Sequence, residues 1–263
     1  NGIPMQTLEL QHRMRPLISK LMKPIYNHLN DHQSVFQYPE MKGVGKSLYF
    51  ITHSHSEEHQ DETSSKTNVF EAQYIERLCR YLILQDYNPS RITILTPYSG
   101  QMFQLKKLMK ESCKGVHITV VDNFQGEEND IIILSLVRSN KNGKLGFLKI
   151  ENRVCVSLSR AKMGFYIIGN IDFLAEHCNI WQNMKSIAER EEVIGQALPL
   201  MCQRHPENKI NAALPKDFDE SPEGGCMLPC NTRLDCGHVC PRPCHNYDQQ
   251  HEEIKCNKPC PLF

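Results

Sequence analysis

Short apolar runs rich in β-branched residues recur along the first 170 positions, separated by stretches with helical spacing. Leu48–Thr52, Ile92–Thr96, Val116–Val121, Ile131–Val137 and Gly164–Gly169 are too short for helices and predict buried strands. Between them the period changes. Pro16 opens a helix with Leu17, Ile18, Leu21, Met22, Ile25 and Leu29 on one face, which Pro24 should kink or divide. Asn68 caps a second helix, with Glu71 as its capping-box partner and Ile75, Leu78, Cys79, Leu82 and Ile83 as its buried stripe up to Asp86. A third starts near Gly100 with Met102, Leu105, Leu108 and Met109, and Asn152–Lys162 reads as a fourth. Helices over about 171–177 and 180–196 complete the pattern. Strands alternating with amphipathic helices predict an α/β domain of three layers around a mostly parallel sheet.

The polar turn Asp122-Asn123-Phe124-Gln125-Gly126-Glu127-Glu128-Asn129-Asp130 lies between two of the buried strands. A glycine among carboxylates and amides at the mouth of a parallel sheet suits a ligand loop, and an ordinary connection is the plain alternative. Gly43-Val44-Gly45-Lys46-Ser47 imitates the end of a phosphate-binding loop, but position 40 is Glu where that motif needs Gly, and the segment precedes a strand. We reject it. His53–Lys66, with His53, His55 and His59, reads as a polar surface loop.

Charge adds little, because 30 basic side chains balance 30 acidic ones. No stretch of 18 apolar residues exists to span a membrane. The chain opens without an initiator Met or a signal-like segment and reads as a piece of a longer protein.

The twelve cysteines divide the chain. Cys79, Cys113, Cys155 and Cys178 stand singly among apolar neighbours and read as small core residues. The other eight fall after residue 200, mixed with histidines, and histidine has no use in a disulfide framework. We therefore expect one domain over 1–198 and a zinc-binding region over 199–263. Its candidate ligands are Cys202, His205, Cys226, Cys230, Cys236, His238, Cys240, Cys244, His245, His251, Cys256 and Cys260. They suffice for three tetrahedral sites, or for two with bystanders, and Cys256 and Cys260 would equally open a further finger. Glycine and proline dominate this region, so metal must supply much of its folding energy. Seven basic against nine acidic side chains from Pro199 onward make protein docking as good a reading for it as RNA binding.

Four segments in order complete the picture: Gln11-His12-Arg13-Met14-Arg15-Pro16, Thr96-Pro97-Tyr98-Ser99-Gly100-Gln101, Val121–Asp130 and Val156-Ser157-Leu158-Ser159-Arg160-Ala161-Lys162. Together they resemble the second RecA-like domain of superfamily 1 helicases, in the group of the nonsense-mediated-decay helicase and senataxin. The likeness covers roughly residues 8–175. Gly224-Gly225-Cys226 and Leu234-Asp235-Cys236-Gly237-His238-Val239-Cys240 look like the start of an NF-X-type finger array, as in the zinc-finger-bearing helicases associated with RNA regulation and antiviral defence.

The resemblance implies ATP, with Mg²⁺, as the nucleotide. It makes Arg13 and Arg160 the guanidinium groups that stabilise charge developing on the γ-phosphate. Glu128 would accept from the ribose hydroxyls, Gly126 would let the backbone approach, and Gln11 and His12 would flank the base. Tyr frequently stands where this chain has His12, which weakens the stacking surface. Lys162 replaces a frequent Arg and is expected outside the cleft. Thr96, Tyr98 and Asn123 are matched to contacts with single-stranded RNA, DNA being equally open. The Walker-type phosphate cradle and acidic pair are absent from this sequence, so a first RecA-like domain ahead of Asn1 would supply them, and this chain alone should not hydrolyse ATP. An RNA-binding scaffold that uses ATP only as a clamp, or a ubiquitin-transfer-like finger module, are the competing readings. A cytoplasmic location is expected, with RNA granules and the nucleus both left open.

Overall fold

The computed structural model describes residues 9–59, 65–254, 256, 258 and 259. Ahead of the main sheet, β1 (Leu10–Gln11) pairs in parallel with β2 (Asn30–Asp31), bracketing α1 (Pro16–Ser19) and its 3-10 continuation to Met22. The expected longer helix stops there because Pro24 lacks the N–H that another turn needs. Ile25 and Leu29 still pack on the core from irregular chain.

Six parallel strands form the sheet, in the order β10 (Ile194–Gly195), β3 (Leu48–Thr52), β9 (Ala161–Gly169), β8 (Asn129–Ser135), β6 (Ile92–Thr96) and β7 (His117–Val120). Ile131–Leu134 and Phe165–Ile168 are wholly buried, as central strands covered on both faces must be. On one side α2 (Val69–Leu84) packs against α3 (Ser99–Leu108). The other layer holds α1, α4 (Glu151–Leu158), α5 (Ile171–His177) and α6 (Asn179–Arg190). The indole N–H of Trp181 in α6 donates to Leu148 O at 2.9 Å beside α4. The three-layer RecA-like α/β architecture is the one expected. α6 ends earlier than expected, at Arg190, where Glu192 takes a positive φ (+55°) and turns the chain into the edge strand β10.

Asn68 caps α2 as foreseen, its side chain accepting from Glu71 N–H at 3.1 Å. Glu71 does not close a capping box. Its wholly buried carboxylate accepts from Ser135 Oγ (2.5 Å), from Val137 N–H (2.9 and 3.0 Å) and from His53 Nε2 (3.1 Å). His53 is thus a buried partner and not a surface-loop histidine; further along, β4 (Glu58–His59) pairs with β5 (Lys66–Thr67).

After the sheet, β11 (Leu198–Met201) and β12 (Lys209–Ala212) form an antiparallel hairpin. Leu198, Leu200, Ala212 and Phe218 are buried in the same core as the sheet. Gly43–Gly45 docks along this hairpin, with Gly45 N–H on Pro199 O and Met201 N–H on Gly43 O, both 2.9 Å. The rejected Gly-Lys-Ser segment is therefore packing material. Beyond it, β13 (Gly224–Pro229) pairs with β14 (Pro243–His245). Gln85, buried at the end of α2, donates to Gly224 O (2.7 Å) and accepts from Asn246 Nδ2 (2.7 Å) and Gln203 Nε2 (2.9 Å). One amide thus joins the helix to the cysteine-rich region.

Candidate active site and metal centres

β8 and β9 are adjacent and parallel, with Asn129 opposite Ala161, so the residues just before them emerge side by side. Those residues are Glu128 and Arg160. The loop carrying Arg13 is pinned to the same end by Arg15 N–H on Lys162 O at 2.9 Å. Gln11 fixes its shape, its side-chain oxygen accepting from Arg13 N–H (2.9 Å) and Met14 N–H (2.7 Å). Three segments distant in sequence therefore converge on one edge of the sheet.

Arg13 Nε is ion-paired with Glu128 Oε2, and Lys162 Nζ reaches Glu128 Oε1 at 2.8 Å. Lys162 is absent from the residues lining the cleft of Arg13 and Arg160, as expected, and its ammonium touches only the carboxylate beside it. These two cations, Lys162 first and then Arg13, hold the Glu128 carboxyl below the usual carboxylate range. Arg160 is braced from three directions: Nε donates to Val156 O (3.0 Å), Nη1 to Glu127 O (3.2 Å) and Nη2 to Ser159 Oγ (2.7 Å). Burial, and then repulsion from Arg13, lower its proton affinity, although a guanidinium stays charged at neutral pH. Two cations held together at such a cost form a place that an anion would relieve.

Gln11, Arg13 and Arg160 line a single cleft of about 490 Å³, with Met22, Tyr26, Leu29, Asn152 and Cys155 among its other walls. Tyr26 went unnoticed in the sequence, and Cys155, read there as a small core residue, is half-buried and lines this cleft; the Tyr26 hydroxyl lies 3.4 Å from Cys155 Sγ. His12 is exposed and stacks on His32, ring centroids 4.0 Å apart, and is not among the lining residues. Gly126 takes a left-handed turn (φ +86°) with no atom within 4 Å of a Cβ built there, so a ligand has room to approach its backbone.

The other matched residues lie elsewhere. Thr96 is wholly buried, its hydroxyl accepting from Tyr98 N–H at 3.5 Å as a strand-end cap. Tyr98 is half-buried, donating to Leu145 O at 3.3 Å with the Arg138 guanidinium 5.8 Å from its ring centre. Asn123 is exposed on the 3-10 turn Val121–Phe124.

Eleven of the twelve expected metal ligands fall into three groups: Cys202, His205, Cys226 and Cys244; Cys230, Cys240, His245 and His251; and Cys236, His238 and Cys256. Cys260 lies outside the described residues. Zn–S and Zn–N bonds of about 2.3 and 2.0–2.1 Å give a tetrahedron with edges of about 3.3–3.8 Å. The observed edges match it: Cys202–Cys244 3.6 Å, Cys202–His205 3.7 Å, Cys226–His205 3.4 Å, Cys230–His251 3.2 Å, Cys240–His245 3.8 Å and His245–His251 3.2 Å. The third group follows suit, with Cys236 and Cys256 Sγ at 3.7 and 3.4 Å from His238 Nδ1. These separations suit the edges of a metal-ligand tetrahedron. In the second group the far ring nitrogens are also occupied, His245 Nδ1 by Tyr247 O (2.7 Å) and His251 Nδ1 by Gln249 O (3.0 Å). That leaves both Nε2 lone pairs for a metal. The donor sets fit zinc. The first group takes Cys202 and His205 from the turn of the β11–β12 hairpin, Cys226 from β13 and Cys244 from β14, so a metal there would tie the fingers to the core.

The parallel sheet between two helical layers, followed by cysteine–histidine clusters of zinc-ligand type, is the arrangement of a RecA-like domain with an attached cysteine–histidine module. The family model described as an AAA domain matches residues 1–172. "NFX1-type zinc finger-containing protein 1" of mouse is 50% identical over 98% of this chain, which covers 14% of that protein. "Helicase required for RNAi-mediated heterochromatin assembly 1" of fission yeast is 38% identical over 77% of the chain and 21% of its own length. "Putative regulator of nonsense transcripts 1" of Takifugu rubripes is 29% identical over 96% of the chain and 25% of its own length. The chain belongs to the AAA-domain family, among the superfamily 1 helicases that carry NF-X-type zinc fingers. It spans about a seventh of the mouse relative.

Proposed function

We propose that this chain is the second motor half of an ATP-dependent helicase acting on single-stranded RNA, within a longer protein. The observation that carries the reading is the convergence of Arg13 and Arg160 on one cleft with Glu128 beside them. A first RecA-like half, with its phosphate cradle and Mg²⁺ ligands, would present ATP to this edge. Arg13 and Arg160 would then meet the γ-phosphate, and Glu128 would leave Arg13 to accept from the ribose. Tyr26 with Met22 and Leu29 offers the base an aromatic and apolar wall, a better seat than the His12–His32 stack. Closure of the two halves around ATP would drive stepping along the strand.

The zinc module is proposed to hold at least two zinc ions and to bind RNA or a protein. Met227 (65% exposed) and Leu228 (45%) on β13 favour a protein. A cytoplasmic location in RNA granules and a role in antiviral defence belong to the same proposal, which imaging of the tagged full-length protein would test. The function itself is tested by strand-stimulated ATP hydrolysis in a protein carrying both halves. Hydrolysis that RNA does not stimulate, or none at all, would leave the clamp or scaffold reading instead.

A further inference from the structure

α3 carries an exposed stripe that the motor chemistry does not use. Phe103, Lys106, Lys107 and Lys110 stand at i, i+3, i+4 and i+7, the spacing of one helical face. Hydrogen bonds from Met109 N–H to Leu105 O (2.9 Å) and from Cys113 N–H to Met109 O (3.1 Å) continue the turn past Leu108, which brings Lys114 onto the same side. All five residues are exposed, whereas Gln101, Leu105, Met109 and Cys113 on the opposite side are buried. Among the described residues none of the four lysines is ion-paired, so their charges are free to meet an anion. The chain as a whole is charge-balanced, so this concentration does not follow from composition.

The stripe also has a floor. Lys106, Lys110 and Lys114 rim a cleft of about 190 Å³ whose base is Met109, Cys113, Val116 and Ile118. An apolar base under a cationic rim suits a ligand with flat apolar faces and a repeating anionic backbone. Single-stranded nucleic acid has both, while an acidic peptide has the charge without the flat faces. From Phe103 to Lys114 the stripe runs about 16 Å toward the β7 edge of the sheet, long enough for several nucleotides.

We infer that this face of α3 is a second contact for single-stranded nucleic acid, with phosphates on Lys106, Lys107, Lys110 and Lys114 and a base stacked on Phe103 or over the apolar cleft. The inference rests on the nucleic-acid reading of the motor, and its test is separate from ATP chemistry. The zinc-loaded chain is titrated with a fluorescent twelve-nucleotide oligouridine at a series of salt concentrations. Replacing the four lysines by glutamine should lower the slope of log K against log salt by about 3, at about 0.7 per phosphate contact. Phe103→Ala should weaken binding about 5- to 150-fold and leave the slope unchanged. Melting curves of the variants should overlay the wild type, because every changed side chain is exposed.

An unchanged slope in the quadruple variant would overturn the inference. So would a wild-type chain that does not bind the oligonucleotide at low salt. Competition at the stripe by polyglutamate but not by oligouridine would assign it to an acidic protein, and would overturn the inference too. A motor that fails to hydrolyse ATP would leave the slope difference standing, so the two readings fail separately.

Discussion

Replacing Glu71 by glutamine should destabilise the motor domain severely while leaving its surface unchanged. The carboxylate is wholly buried and accepts from three donors, Val137 N–H being shared between its two oxygens. Val137 has φ +68°, a left-handed conformation that a β-branched residue adopts only when its surroundings impose it. An amide has one acceptor oxygen, so one side must now present NH₂ to donors. On the Oε1 side the opposing donor is His53 Nε2, and His53 cannot simply change tautomer because its Nδ1 already accepts from His55 N–H at 3.1 Å. On the Oε2 side it is Ser135 Oγ, which accepts from Gln101 Nε2 at 3.1 Å and would have to turn its own proton away, losing its donation to the buried group. Either orientation loses one or two charge-assisted bonds, each contributing about 1.5–3 kcal/mol, partly regained by the remaining oxygen. We expect a loss of about 2–4 kcal/mol, which is about 5–15 °C in Tm for a domain of this size. Thermal melting followed by circular dichroism of the zinc-loaded protein measures it. A Glu71→Gln variant that melts within about 1 °C of wild type would refute the argument that this carboxylate holds Val137.

Three further outcomes follow from the same contacts. Arg15 is buried and donates to Ser47 Oγ, Tyr38 O and Glu40, so Arg15→Ala should lower stability by about 2–4 kcal/mol without changing nucleotide affinity. Denaturation compared with nucleotide titration separates the two effects. Metal analysis should find at least two zinc ions per chain, and Cys202→Ala should release one and loosen the β11–β12 hairpin, seen as faster amide exchange at Leu198–Met201. Because Lys162 and Arg13 depress the Glu128 pKa, its contribution is present above the ordinary carboxylate pKa and is lost as pH falls through the depressed value. The acid limb of the stability profile should therefore flatten in Glu128→Gln, and an unchanged limb would show the bridge to be immaterial.

Most of the sheet was legible because its strands are β-branched runs bounded by turns, and Pro16, Asn68 and Pro97 mark element ends by their own backbone chemistry. What escaped detection was decided by tertiary contact. β10 is two residues long and carries no period, and the stop of α6 depends on a left-handed Glu192 that no propensity foretells. Glu71 sits at a capping-box spacing, yet the buried end of β8 captured its carboxylate. In the motif that runs from Gln11 to Pro16, Arg13 and Arg15 look alike in sequence. One faces the cleft and the other is sunk against Ser47, a difference set by Lys162 O pulling the intervening backbone onto the sheet. The eleven clustered candidate ligands were recognisable by type, but their grouping was not. The first two groups interleave along the chain, with Cys226 and Cys244 in one and Cys230, Cys240 and His245 in the other, so that neighbours in sequence serve different centres.

The central claim is that this edge of the sheet brings guanidinium groups to a nucleotide bound from the other motor half. Single-turnover ATP hydrolysis by Arg160→Ala, in a protein carrying both halves and saturated with RNA, tests it most directly. An arginine acting on the transferring phosphoryl group contributes about 10³–10⁵ in rate. The account predicts a fall of at least about 10³ in the hydrolysis step, with ATP affinity within a few-fold of wild type. Hydrolysis at the wild-type rate, or a loss that appears wholly in ATP affinity, would contradict it.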